Sequence, residues 1–379
     1  MNENGLNKPT IDNFFDNFDY SLNESLAKSI ELLKADDKDT KLNALRNYSM
    51  SLYDVFSLDN IIENLNYVVS NSTPSYRDYF YLGLCYLDKE DYLSAVESFL
   101  KGIDINEKDY GLNYNLAISY YFNYELDKAE EYLYKAISID NIRLNAYQVL
   151  NYIYNNNFEE PTKTAKIKQF LSVIDKNITK TGDKNLLFLG ANYNFEAGNF
   201  SKALEYLDRL TVLDSKNSDY FLLRVRIYFQ IQNYDNSKKD VELVLENDIN
   251  NLEAHCLNVQ IAYTTNNITE QTLKNIEIVI ENSEKVDNYF NFIAFKTKAD
   301  NENNIQQSID YYTKALLFAE EQNDIAELYS KRADAYSKLD NLDLAENDIL
   351  HALDFNESDV NPSLPVFDKI PPKTGIFYI

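Results

Sequence analysis

A spacing of 34 residues recurs along the chain and limits what it can fold into. One leucine and one tyrosine, four positions apart, return at this spacing in three successive steps. They are Leu82, Leu116 and Leu150, with Tyr86, Tyr120 and Tyr154. A period of about 20–50 residues with apolar positions locked to it indicates a solenoid of small stacked units. The 379 residues are therefore predicted to form one array of repeats rather than several globular domains.

Small residues occupy two further positions of the repeat. Gly83 and Ala95 stand there in one unit, and Ala117 and Ala129 in the next. Residues spaced i, i+3, i+4 and i+7 share one face of a helix, so each unit is predicted to be two amphipathic helices. Small residues let the two backbones cross closely, and larger ones such as Phe99 fill the gap to the neighbouring unit. No unit buries its own apolar face, so stability is expected to come from stacking.

The unit from Tyr76 to Asp109 resembles the tetratricopeptide repeat. That family's pattern runs W-x2-L-G-x2-Y, then A-x3-F, then A and P. The matching residues are Tyr79, Leu82, Gly83, Tyr86, Ala95, Phe99 and Gly102. The chain has no tryptophan, and Glu107 and Asn141 stand in place of the closing proline. The resemblance implies an all-α fold, an α-solenoid of stacked antiparallel helix pairs with about nine 34-residue units.

The repeat register divides the chain into three parts. Residues 1–41 are predicted to be a helical cap, with an acidic aromatic helix around 11–18 and a second helix over 22–35. Ser21 and Glu24 form a capping-box pattern at the start of that second helix. Residues 42–359 are predicted to be the array, with degenerate units near 42–75, 144–180 and 252–285.

The third part, residues 360–379, contains four of the seven prolines and is predicted to be an extended tail without a regular helix. Its apolar residues are Leu364, Val366, Phe367, Ile370, Ile376, Phe377, Tyr378 and Ile379. A disordered spacer would be more polar. Two interpretations stay open: the tail caps the last repeats, or it is a short motif offered to another protein.

Charge excludes several classes of partner. The 61 acidic and 36 basic residues give a formal charge of −25. Such a surface repels phosphate backbones and anionic lipids, so neither nucleic acid nor a membrane is an expected partner. No apolar run reaches the length of about 18 residues that spans a bilayer, and 1–10 show no secretory signal. Cys85 and Cys256 lie in separate predicted helices, which suits a reducing cytoplasm.

Residue types that carry catalysis are scarce. His255 and His351 are far apart and have no further Cys or His at metal-ligand spacing. The eight glycines form no phosphate-binding loop. The sequence therefore predicts no enzyme, no cofactor and no metal site.

The family resemblance implies a concave groove lined by the first helix of each unit, where a peptide or a partner helix binds. The positions that the register places there are Arg77, Phe80, Leu84, Tyr114, Ile118, Tyr121, Tyr152, Phe188, Asn192, Leu222, Arg226, Phe229 and Tyr263. Tyrosine and phenylalanine offer a large contact area at low entropy cost. About half of these residues are expected to pack against the next unit instead. Arg77 and Arg226 are candidate anchors for acidic groups.

One subtype of the family grips acidic chaperone tails with lysine and asparagine side chains. Asn115 matches one of those positions, but Phe80 and Leu84 replace the first lysine and asparagine. A peptide ligand of this chain is therefore expected to be apolar-aromatic or basic.

Two functions stay open on the sequence alone. The first is a non-catalytic scaffold or adaptor that binds a peptide or helix of a protein partner in the groove. The alternative is a self-assembling structural protein in which the tail of one chain docks on another, so a homo-oligomer stays open. The identity of the partner is not encoded in the pattern.

Overall fold

The computed structural model describes residues 24–53 and 57–356, and these contain nineteen α-helices and no β-strand. The first ten are α1 (Glu24–Leu32), α2 (Lys38–Ser51), α3 (Leu58–Asn71), α4 (Tyr76–Asp88), α5 (Tyr92–Ile105), α6 (Tyr110–Phe122), α7 (Leu126–Ile139), α8 (Asn145–Asn157), α9 (Thr162–Thr181) and α10 (Lys184–Glu196). The others are α11 (Phe200–Leu213), α12 (Ser218–Gln230), α13 (Tyr234–Asn247), α14 (Leu252–Thr265), α15 (Glu270–Glu281), α16 (Asn288–Asp300), α17 (Ile305–Leu316), α18 (Gln322–Lys338) and α19 (Leu342–Asn356). The predicted helix around 11–18, the capping residue Ser21 and the tail at 360–379 lie outside the described residues.

The described helices after α1 follow one another as nine pairs, from α2–α3 to α18–α19. The chain divides into two compact units, an N-terminal unit (1–193) and a C-terminal unit (194–379), and the division falls inside α10. Within each unit, the two helices of a pair contact each other, and the second helix contacts the first helix of the next pair. The predicted α-solenoid of stacked antiparallel helix pairs is confirmed.

First helices also contact each other from pair to pair. These contacts join α4 to α6 in the N-terminal unit, and α12 to α14 and α14 to α16 in the C-terminal unit. The first helices thus form one layer in each unit, and this layer carries the predicted groove positions.

Small residues lie where the two helices of a pair cross. Ala95 and Ala129 are fully buried. At Gly83, a Cβ atom would stand 2.5 Å from Cε1 of Phe99, closer than carbon atoms approach. The crossing in α4–α5 therefore accepts only glycine without a movement of the Phe99 ring.

The turn inside a pair repeats the same backbone conformation. In six helix pairs, one residue of the turn between the two helices has a φ between 50° and 74°. These residues are Glu90, Tyr124, Gly198, Gln232, Asn266 and Asp340. The next residue donates its N–H to the carbonyl five residues earlier, as Asp91 does to Tyr86 at 2.9 Å. This is the Schellman ending of a helix, which favours glycine because left-handed backbone is strained for other residues. Only one of these six turns uses glycine.

Two repeats of the C-terminal unit carry arginine at the position of the recurring leucine. Arg224 donates from Nε and Nη2 to the Asp240 carboxylate at 2.6 and 2.7 Å. Arg332 does the same to Asp348 at 2.7 and 2.8 Å. Both carboxylates are buried, at 4% and 2% exposure. A two-point ion pair between the helices of a pair thus replaces an apolar contact.

Two helices depart in length from the 34-residue pattern. α9 has 20 residues and begins after Pro161, in the unit that the sequence marked as degenerate. α18 has 17 residues and begins at Gln322, four positions before the repeat register starts at Ala326. The connection between α17 and α18 is short, so the chain enters the last repeat already helical.

Candidate functional site

The thirteen predicted groove residues all lie on first helices, distributed over α4, α6, α8, α10, α12 and α14. Arg77 and Tyr152 are exposed, and Leu222 is buried. The other ten are half-buried, each with part of its surface in the packing and part open to solvent. They are Phe80, Leu84, Tyr114, Ile118, Tyr121, Phe188, Asn192, Arg226, Phe229 and Tyr263. A role in binding for any of them stays a prediction.

In the N-terminal unit these positions form an aromatic surface. Tyr114 stacks on Tyr110 with ring centroids 5.8 Å apart, and its hydroxyl is hydrogen-bonded to Asn145 of the next first helix. Burial raises the pKa of Tyr114, an effect that the Asn145 hydrogen bond opposes. Tyr121 meets Tyr152 edge to face at 6.2 Å. Neighbouring first helices are thus joined through the aromatic side chains that were expected to contact a ligand.

An open pocket of about 410 Å³ lies at the start of this surface. It is lined by Asn47, Met50, Ser51, Tyr76, Arg77, Phe80, Tyr81 and Asp109, which belong to α2, α4 and the residue before α6. Phe80 packs edge to face on Phe99 at 6.2 Å and on Tyr81 at 5.6 Å, so its ring is held in place. Met50 and the rings of Phe80 and Tyr81 supply the apolar part of the lining, and polar groups supply the rest.

One cation and one carboxylate stand at the rim of this pocket. Arg77 Nε lies 3.4 Å from the Tyr76 hydroxyl oxygen, and its guanidinium lies 5.9 Å from the centre of that ring. The Asp109 carboxylate caps α6 by accepting the N–H of Leu112 at 2.9 Å. Asp109 is thus engaged at the start of α6, and Arg77 is an exposed cation at the same rim that is bonded through Nε to Tyr76.

In the C-terminal unit the first-helix layer is joined by polar bonds. Arg226 on α12 pairs with Glu253 on α14. One step further, Gln260 on α14 is hydrogen-bonded to Tyr289 on α16. The positions repeat from helix to helix, so these bonds form a series along the layer. Arg226, predicted as an anchor for acidic groups, already has a carboxylate partner.

The last bond of this series joins the buried amine of Lys296 on α16 to Glu327 on α18. Lys296 Nζ lies 2.9 Å from the Tyr263 hydroxyl and 2.5 Å from Glu327 Oε2. The Lys296 side chain is 5% exposed. Burial alone would lower the pKa of Lys296, but the bonds to Glu327 and Tyr263 outweigh it and raise that pKa. Burial alone would raise the pKa of Glu327, but Lys296 and Lys331 outweigh it and lower that pKa below its ordinary value.

Gln260, Lys296 and Glu327 are not among the residues that the sequence predicts for the site. Gln260 stands 34 residues after Arg226, so the register pointed to it. Lys296 lies in a unit whose spacing is longer, because Glu327 follows it by 31 residues where Glu253 follows Arg226 by 27. These extra residues shift the unit out of the 34-residue register. The register therefore does not align Lys296 with Arg226 and Gln260.

Both histidines have structural partners in the fold. His255 is buried, with Nε2 2.8 Å from the Ile249 carbonyl oxygen and Nδ1 3.1 Å from Asn275 Oδ1. His351 stacks on Tyr329 with a centroid separation of 5.0 Å. Within 24–53 and 57–356, no group of three or more His, Cys, Asp or Glu side chains converges on a metal-sized site. In the same ranges no helix is both long and apolar enough to cross a bilayer.

A family model described as tetratricopeptide repeat matches residues 79–109 and 326–359. The chain therefore contains tetratricopeptide repeats. The matched tetratricopeptide repeats are the pairs α4–α5 and α18–α19, one in each compact unit. The first of them carries the pocket at Phe80. No curated protein matches the chain.

Solved structures of tetratricopeptide repeat proteins resemble the chain at low identity. One from Parabacteroides merdae is 17% identical, with 65% of this chain and 93% of that chain aligned and a TM-score of 0.40. The C-terminal part of one from Cytophaga hutchinsonii is 15% identical, covering 72% and 94%, with a TM-score of 0.42. YrrB, described as having an unusual peptide-binding site, is 18% identical, covering 54% and 99%, with a TM-score of 0.38. Similarity at this level says nothing about what this chain binds.

Proposed function

We propose that the chain is a non-catalytic scaffold that binds a peptide or helix of a protein partner along the first helices of its N-terminal unit. The tetratricopeptide fold is in general a protein-interaction scaffold. The observation that carries the more specific proposal is the open pocket at Phe80, whose walls belong to two successive first helices. An apolar or aromatic side chain can pack on Met50 and the Phe80 ring, and Arg77 at the rim supplies a hydrogen-bond donor to the partner's backbone or carboxylate.

The aromatic surface beyond the pocket extends the contact. Tyr114, Tyr121 and Tyr152 each leave part of the ring open to solvent while their neighbours hold them in position. Aromatic rings held in this way lose little entropy when a partner covers them. The proposal therefore places the energetic centre of binding on α4 and its extension on α6 and α8.

The test is to fill the pocket without touching the core. Asn47 lies on α2 at the pocket and is exposed, so Asn47→Trp places a large ring in the cavity. Asn66→Trp is the matched control, because Asn66 is also exposed but lies on α3, a second helix. Both variants should keep the helicity of the parent chain.

The measurement is affinity capture from a lysate of the native host, with low-salt and high-salt washes and identification by mass spectrometry. A stoichiometric partner should be retained by the parent chain and by Asn66→Trp, and its affinity should fall about tenfold or more in Asn47→Trp. Equal capture by all three chains would reject the pocket as the binding site. Recovery of the bait's own untagged copies alone would favour the self-assembling alternative.

A further inference from the structure

One second helix of the N-terminal unit is basic, although the chain as a whole is acidic. α9 carries five lysines and a single acidic residue, Asp175, whereas the formal charge of the chain is −25. The buried face of this helix is apolar, and its residues are Phe170, Leu171, Ile174 and Ile178. The lysines of α9 therefore lie on its other faces.

Three of the five lysines form a ridge along the exposed face of α9. Lys168, Lys176 and Lys180 are exposed. Together with the exposed Ser172 they follow one another at intervals of four residues. Residues at this spacing are neighbours on one side of a helix. We call these four residues the lysine ridge, and at about 1.5 Å per residue it is about 18 Å long.

The fold engages the other two lysines of α9 but not those of the ridge. Lys166 pairs with Glu130, and Lys163 Nζ lies 3.4 Å from the Asn155 carbonyl oxygen. In the part of the chain that the structure describes, the ammonium groups of the three ridge lysines have no ion-pair partner. Their charges are thus available to a molecule outside the fold.

The sequence of α9 also lacks the carboxylates that pair with lysines on other helices. Lys101, for example, pairs at 2.7 Å with Glu97, four residues away on α5. No Asp or Glu stands three or four residues from Lys168 or Lys176 in either direction. Instead, Lys176 and Lys180 stand four residues apart, and like charges at this spacing destabilise a helix. Because this arrangement opposes the folding of α9, a gain from binding explains it better than a role in packing.

We propose that the lysine ridge is a second docking surface, which binds a short acidic segment of a partner protein. Carboxylates of that segment form charge-assisted hydrogen bonds with the three ammonium groups. About six residues of an extended segment, at about 3.3 Å each, span the ridge. The ridge lies on a second helix and the pocket at Phe80 lies on first helices, so this proposal does not depend on the pocket.

The charge of the remaining chain favours a short segment over a larger polyanion. Charges are screened beyond about 8 Å at physiological ionic strength, so a segment confined to the ridge interacts mainly with its lysines. A DNA duplex, with one charge per about 1.7 Å, and an anionic bilayer both extend well beyond the ridge. Both would therefore also meet the acidic surface of a chain with a formal charge of −25.

The test removes the ridge charges from the full chain. The ridge variant combines Lys168→Gln, Lys176→Gln and Lys180→Gln. The control variant removes three exposed lysines outside α9, through Lys108→Gln, Lys239→Gln and Lys285→Gln. Glutamine is about as good a helix former as lysine, so both variants should keep the helicity of the parent chain.

The probe is a short fluorescein-labelled glutamate peptide, and its binding is followed by fluorescence anisotropy at physiological ionic strength. The parent chain and the control variant should bind it, and the ridge variant should bind it about tenfold more weakly, because each exposed ion pair contributes a factor of about two to three in affinity. The pocket variant Asn47→Trp should bind the peptide like the parent chain, so failure of the pocket proposal leaves this result unchanged.

Three results would overturn the proposal. They are an absence of peptide binding by the parent chain, equal affinity of the parent chain and the ridge variant, and an equal loss of affinity in the control variant. A single-stranded oligonucleotide and vesicles that contain phosphatidylserine are compared with the peptide under the same conditions. Tighter binding of either one would assign the ridge to nucleic acid or to a membrane instead.

Discussion

We predict that replacing Arg224 of the Arg224–Asp240 pair destabilises the fold strongly. A second substitution, at Asp240, should restore the stability. Asp240 is 4% exposed and takes two hydrogen bonds from Arg224, at 2.6 and 2.7 Å. Replacing Arg224 by leucine leaves a buried carboxylate without its cation. Removing one partner of a buried pair costs about 3–5 kcal/mol, and the new leucine offsets part of this by apolar burial. We expect Arg224→Leu to lower the free energy of unfolding by about 3 kcal/mol.

The repeat itself provides the compensating change. At the positions of Arg224 and Asp240, the repeat 76–109 has Leu82 and Ser98. The double variant Arg224→Leu with Asp240→Ser reproduces that combination, so no buried charge is left. Asp208, the second partner of Arg224 at 2.7 Å, is 60% exposed and remains hydrated in both variants. The double variant should lie within about 1 kcal/mol of the parent chain.

The same pair predicts a pH dependence of defined sign. Burial raises the pKa of Asp240, and Arg224 opposes this rise. In Arg224→Leu the opposing effect is gone, so the folded-state pKa lies further above the unfolded value of about 4. A raised folded-state pKa stabilises the fold below the unfolded pKa, and that stabilisation is lost as pH rises through the folded pKa. The deficit of Arg224→Leu should therefore be largest at neutral pH and shrink as the solution is acidified.

Urea unfolding followed by far-UV circular dichroism measures these differences, and hydrogen exchange in α12 and α13 locates them. Arg209→Leu is the control, because Arg209 is an exposed arginine on the second helix α11 and should change stability little. A single variant as stable as the parent chain, or a double variant less stable than the single one, would refute the reasoning.

Three further predictions concern packing, turns and thiols. Gly83→Ala should destabilise the fold by about 1–3 kcal/mol in urea unfolding, since its Cβ would stand 2.5 Å from the Phe99 ring, and Phe99→Leu should relieve part of that loss. Tyr124→Gly should stabilise by about 0.5–1 kcal/mol and Gly198→Ala should destabilise by a similar amount, because both positions have positive φ; opposite signs would refute the strain argument. Burial raises the pKa of Cys85 to about 12, so iodoacetamide at pH 8 should label it only after unfolding, and rapid labelling of the native chain would contradict its burial.

The amino-acid sequence was sufficient to predict the fold class and the layer that carries the candidate site. Ala95 and Ala129 recur at 34 residues because every crossing of two helices needs the same close approach. A packing requirement that recurs in each unit selects the same residue type at a fixed spacing. Such a periodic pattern can be recognised from the sequence alone. For the same reason the thirteen groove positions all fall on first helices, although their role in binding stays a prediction.

Tertiary structure decided what is not periodic. Glycine at Gly198 suits the positive φ of its turn, but Tyr124 adopts the same backbone conformation because the closing of its helix pair imposes it. Whether Arg226 faces solvent or Glu253 depends on which side chain the next first helix brings opposite to it. The bond from Lys296 to Glu327 depends on a spacing outside the repeat frame. Which side chains become partners depends on how one helix packs on another. The sequence of one helix does not specify which residues the adjacent helix places opposite it.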